Sequence, residues 1–167
     1  MPAKLKFPKH LSAMILALGF AAAPAFAAGP ATHDHGHDQS AAPATFTLDA
    51  GKKWATDAPL RKAMANIRTS MQASLQPIHE DKFSPAKYGS LARKINGEVA
   101  NMVNNCKLEP KADAQLHLVI AQLLEGAEAM EGKTKAAKRM DGAIAVLGAL
   151  EKYGSYFDDP SWKPIKH

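Results

Sequence analysis

Three histidines stand at alternate positions in the run His33-Asp34-His35-Gly36-His37. Neutral imidazole is the commonest protein ligand for zinc, copper and nickel. In an extended chain, alternate side chains point to one side, so His33, His35 and His37 can converge on one ion. Asp34 and Asp38 can add oxygen ligands or orient the rings. The opposing reading is a solvated histidine tract with weak, adventitious affinity. A mobile tail also loses conformational entropy when it wraps an ion, which lowers affinity.

Two further residues could join such chemistry. Cys106 is the only cysteine of the chain, so no intramolecular disulfide exists. It falls on the apolar stripe of a helix, where free cysteine is usually a buried small hydrophobe. The sharper reading makes it a thiolate ligand paired with His117. A disulfide-linked dimer is disfavoured, because the stripe turns the sulfur inward. A redox-sensing thiolate is disfavoured too, because a helix C-terminus does not lower a thiol pKa. Met64, Met71, Met102, Met130 and Met140 fit helical stripes and read first as core fillers. A His79–Met130 copper site requires two helix ends to meet.

Four amphipathic helices must position these groups. The first spans about Asp57 to His79, with Leu60, Met64, Ile67, Met71, Leu75 and Ile78 on its stripe. Thr56 or Asp57 caps it, Pro59 sits in its first turn, and Pro77 kinks or ends its last. The second starts at Ser84-Pro85 and carries Tyr88, Ala92, Ile95, Val99, Met102 and Cys106. The third starts near Pro110, carries Leu116, Ile120, Leu123, Ala127 and Met130, and stops at Gly132. The fourth spans Thr134 to Phe157, with Met140, Ala143, Leu147, Leu150, Gly154 and Phe157 on its stripe. Pro160 closes it, and Trp162 folds back as an apolar cover. No strand-like alternation of useful length occurs. The expected fold is all-α: an up-down-up-down antiparallel four-helix bundle over residues 51–167. That order gathers Trp54, Cys106, His117, Tyr153 and Tyr156 at one end, where the tail enters, and puts His79 at the other.

The N-terminal region reads as a leader and a tail. Lys4, Lys6 and Lys9 precede an apolar run from Leu11 to Ala22, and Ala25-Phe26-Ala27 resembles a signal-peptidase site. The expectation is a signal peptide over residues 1–27, cleaved after Ala27, and a bacterial periplasmic protein. The apolar run is short for a membrane span, which needs roughly 20 residues, so no stable span is expected after cleavage. Residues 28–50 show no sustained period and read as a disordered His-rich tail, although Phe46 and Leu48 alternate with polar residues and could dock.

Charge then narrows the partners. The 167-residue chain carries a formal +5. Loss of the three leader lysines leaves +2, too little for a nucleic-acid binder without a basic stripe or aromatic platform. Known bundle chemistries fail on spacing. Covalent haem needs Cys-x-x-Cys-His, and the fourth helix offers Tyr153 and Tyr156 but no axial histidine. A di-iron site needs Glu-x-x-His pairs, whereas the chain has Glu125-x-x-Glu128 without a matching histidine. No Ser-His-Asp order or phosphate-binding glycine loop is evident. A non-enzyme without haem is expected.

The segment Asn105-Cys106-Lys107-Leu108, followed by Ala112-Asp113-Ala114-Gln115-Leu116-His117, resembles an uncharacterised group of exported proteobacterial proteins sometimes labelled DnrO-like. So do Gly51-Lys52-Lys53-Trp54 and Tyr156-Phe157-Asp158. The architecture is similar to cytochrome b562 and cytochrome c-prime bundles, without their haem ligands. The resemblance implies a helical fold and export, and carries no activity. The functional expectation is a periplasmic protein that sequesters or delivers copper, nickel or zinc through His33, His35 and His37, with Cys106 and His117 as partners. The competing expectation is a non-catalytic module that binds another envelope protein.

Overall fold

A computed structural model describes residues 45–135 and 137–166. The leader and the His33–His37 tract lie outside these residues. Four helices dominate: α1 (Ala58–His79), α2 (Pro85–Asn105), α3 (Pro110–Glu131) and α4 (Arg139–Tyr156). Two two-residue strands, β1 (Trp54–Ala55) and β2 (Phe157–Asp158), pair in parallel. The fold is all-α as expected; these strands were not anticipated, because two residues carry no readable alternation.

Each helix begins and ends for a local reason. Asp57 caps α1 by accepting from the backbone N–H of Leu60 at 2.9 Å. Ser84 caps α2 through Lys87 N, and Pro85 occupies the first helical position. The α3 helix stops at Gly132, whose φ of 77° is the left-handed cap conformation that glycine tolerates. Pro77 does not end α1; the helix runs two residues further, to His79. The α4 helix starts at Arg139, five residues later than expected. Asp141 accepts from the Lys138 backbone N–H at 2.8 Å and fixes the start there. The upstream Lys133 and Lys135 would oppose the positive end of a longer helix.

The core follows the stripes of α1, α2 and α3, and on α4 the expected Ala143, Leu150 and Phe157 are buried while the contact face turns slightly to take in Val146 and Ala149. The whole expected α1 stripe is buried, as are Tyr88, Ala92, Ile95, Val99 and Met102 of α2. On α4 the buried residues include Gly142, Ala143, Val146, Ala149, Leu150 and Tyr153, whereas Met140 is 37% exposed. Close packing on α3 explains the rotation. A Cβ on Gly126 would lie 2.7 Å from the Gly142 carbonyl oxygen and 2.7 Å from a Val146 methyl. Small residues therefore define this face, and the larger apolar ones sit beside it.

Of residues 45–50, assigned to the tail from sequence, Phe46 and Thr47 contact the helices, whereas Leu48, also expected to dock, stays 42% exposed. Phe46 stacks on Tyr156 with ring centroids 5.1 Å apart. The Thr47 N–H donates to Gln115 Oε1 at 2.9 Å, and the Trp54 indole donates to the Thr47 carbonyl. Ala50 and Gly51, both at positive φ, make the tight turn between Asp49 and Lys52. The other terminus is bound as well. Trp162 meets Tyr153 edge-on at 4.7 Å and covers Gly154. Asp159 accepts from the Tyr153 hydroxyl at 3.0 Å and from Ser161, and Arg68 donates to the Lys163 carbonyl. Helices α1 and α4 barely touch each other. The 159–166 segment bridges them.

Candidate functional site

The start of α1, the end of α2, the start of α3 and the end of α4 are joined by specific bonds. Asp57 Oδ2 accepts from the Lys107 N–H at 2.6 Å, tying α1 to the residue after Cys106. Gln115 binds the Thr47 segment, and Lys53 Nζ donates to the Gly154 carbonyl at 2.7 Å. Thr56 Oγ1 donates to the Asp158 carbonyl, beside the β1–β2 pair.

Cys106 caps the end of α2 and is half-buried, packed against the core. Burial pushes its thiol up to about 12. The Asp57 charge, a hydrogen bond from the thiol to Asp57, and the charge of Asp113 push the same way. At pH 7 the thiolate fraction is on the order of one in 10⁵, so this sulfur rests as a protonated donor. A nucleophilic or redox-sensing cysteine needs the opposite surroundings.

His117 lies on the exposed flank of α3, with its side chain 59% accessible. Its Nδ1 sits 2.9 Å from the Asp113 carbonyl oxygen and 3.4 Å from Asp113 Oδ2. An Nδ1 facing a carbonyl carries the proton, which leaves Nε2 as the lone pair an ion would find. Asp113 thus faces both candidate residues. Among the described residues, no group of three His, Cys, Asp or Glu side chains is placed to hold a metal ion. His79 is exposed at the end of α1, and Met130 is completely buried near the end of α3. His33, His35 and His37 lie outside the described residues.

Asp57 is the residue that sequence reasoning underused. The sequence left the cap open between Thr56 and Asp57, and the structure assigns it to Asp57. Its second bond, to Lys107, spans fifty positions and has no local signal. No protein family, curated protein or solved structure matches this chain. Among the described residues no helix is long and apolar enough to cross a membrane.

Proposed function

We propose that this is an exported, non-catalytic metal-binding protein whose ion site is the His33-x-His35-x-His37 tract. The tract's spacing carries the reading: in an extended chain, alternate positions would put three imidazoles on one side, with Asp34 and Asp38 next to them in sequence. Copper(II), nickel or zinc suits that donor set. The bundle end supports a division of labour, since Cys106 is a proton-bearing thiol bonded to Asp57 and His117 offers one nitrogen. The helices, in up-down-up-down order, then act as the folded carrier of a metal-binding tail.

Calorimetric titration of the purified protein with Zn²⁺, Ni²⁺ and Cu²⁺ tests this. The expected result is one tight ion, lost when His33, His35 and His37 are replaced together by alanine and retained in Cys106→Ser. Binding no tighter than that of a free histidine peptide would overturn it. Loss of binding in Cys106→Ser or His117→Ala would move the site to the bundle end.

A second reading, an envelope interaction module with incidental histidines, is favoured by one observation. Val103 and Ile144 stand 66% and 58% exposed, an uncommon placement for large aliphatic side chains. Retention of a partner by the triple-alanine protein, and its loss in Val103→Ser or Ile144→Ser, would support that reading.

A further inference from the structure

We propose that the groove between α1 and α2 binds a linear acidic glycan, a uronate-type chain that carries one carboxylate per sugar. The argument starts from an uneven charge distribution that the net charge conceals. Together α1 and α2 carry Arg61, Lys62, Arg68, Lys87, Arg93 and Lys94 against the single acid Glu98, a net +5. Helix α1 has no acid at all. Helices α3 and α4 carry six acids against Lys111, Arg139 and Lys152, a net −3.

The groove lies within the positive half. Two adjoining cavities of about 570 and 530 Å³ share Asn66, Glu98 and Asn101. They extend along α1 from Ala58 to Ser70, twelve helical rises or about 18 Å. Ala58, Ala63 and Gly97 keep the groove open, and a Cβ on Gly97 would meet nothing within 4 Å. Lys62, Arg93 and Lys94 line it, all exposed. Lys94 forms no ion pair with Glu98 one turn on; the Glu98 carboxylate is held instead by Asn66 at 3.0 Å and Asn101 at 3.4 Å. Among the described residues, neither Lys62 nor Lys94 has an ion-pair partner.

This chemistry selects among anions. Three cations over about 18 Å are too sparse for duplex DNA, with one charge per about 1.7 Å. No aromatic side chain lines the groove, so bases have nothing to stack on. Asn66, Asn101, Asn105, Thr69 and Ser70 both donate and accept, which suits hydroxyl groups. Glu98 in the lining repels a dense polyanion but accepts from a sugar hydroxyl. A flat anionic membrane would engage the exposed lysines without calling on the paired donors and acceptors of Asn66 and Asn101 between them.

Binding of pentagalacturonate to the full protein, followed by calorimetry across a salt series, tests the proposal. Expected is salt-sensitive binding that weakens about tenfold or more in the Lys62→Glu/Lys94→Glu double variant. Lys152→Glu on α4 should change it less than about twofold. Asn101→Ala should weaken it without altering the salt slope, a readout that charge alone does not move. All four positions are exposed, and unchanged helical circular dichroism would establish that the variants fold. The proposal is overturned by no binding, or by equal weakening in Lys152→Glu. It is also overturned if duplex DNA or phosphatidylglycerol vesicles bind as tightly as pentagalacturonate, or if Asn101→Ala binds like the parent.

Discussion

The two helix pairs solve the same packing problem in opposite ways. Helices α3 and α4 come together through glycines, with backbone nearly against backbone at Gly126 and Gly142. Helices α1 and α2 bury their own stripes but keep a water-accessible groove on their outer side, spanned by the Asn66–Glu98 bond. Both pairs join consecutive helices by short loops, so connectivity does not explain the difference. Side-chain size at the contact does. Where the facing residues are Gly, Ala and Val, dispersion contacts reach the backbone and water is excluded. Where they are Asn, Glu, Arg and Lys, each group keeps its hydration and the outer groove stays open.

The comparison breaks most visibly at Gly126. Gly126→Val should destabilise the fold by about 3 kcal/mol or more in urea denaturation, because the added branch meets the Gly142 carbonyl and the Val146 side chain. Asp57→Ala comes next. It removes the α1 cap and the acceptor for Lys107 N, at about 2 kcal/mol in the same assay. Gly97→Ala has the opposite sign: open space around that Cβ leaves only the helix-propensity gain, up to about 1 kcal/mol of added stability. A Gly97→Ala protein as unstable as Gly126→Val would erase the distinction between the two pairs.

A further contrast is a pH dependence. The folded Cys106 thiol holds its proton to about 12, from an ordinary value of 9.0. Between those values the unfolded chain loses a proton that the folded chain retains. The thiol's contribution to stability is therefore complete below pH 9 and is lost as pH rises toward 12. The Tyr153 hydroxyl, raised by burial and by Asp159, adds a loss in the same direction that begins near its ordinary value of 10.0. Cys106→Ala should flatten the decline between pH 9 and 11. Asp57→Asn keeps a capping side chain but removes a charge, so it should lower the thiol pKa and speed alkylation at pH 8.5. An alkylation rate unchanged in Asp57→Asn would remove Asp57 from that account.

How far the chain could be read depended on residue size and on distance in sequence. The stripes of α1, α2 and α3 were legible because Leu, Ile, Met and Val recur at steps of three and four, and burying them is the dominant local demand. On α4 the expected Ala143, Leu150 and Phe157 are buried, but the contact face also takes in Gly142, Val146 and Ala149, outside the expected stripe, because close backbone approach there selects small residues. Met140 was chosen because it is large, and it lies partly in water. The docking of Phe46 was anticipated from its alternation with polar residues, but its partner Tyr156 was not. Cys106 was rightly placed at a helix end facing the core. Its proton-retaining environment depends on Asp57, which arrives from another helix.

By itself the sequence determined four helices, the caps at Ser84 and Gly132, a first cap at Thr56 or Asp57, most of the core, and the spacing of the three histidines. These follow from interactions within a few residues: periodic burial, capping bonds and glycine's access to positive φ. Tertiary structure alone decided that Asp57 bonds Lys107, that Gly126 meets Gly142, that residues 159–166 bridge α1 and α4, and that Lys62, Arg93 and Lys94 line one groove. Those outcomes depend on how closely two helices approach and which faces meet. That is set by the volume of side chains far apart in the chain, and no local pattern records it.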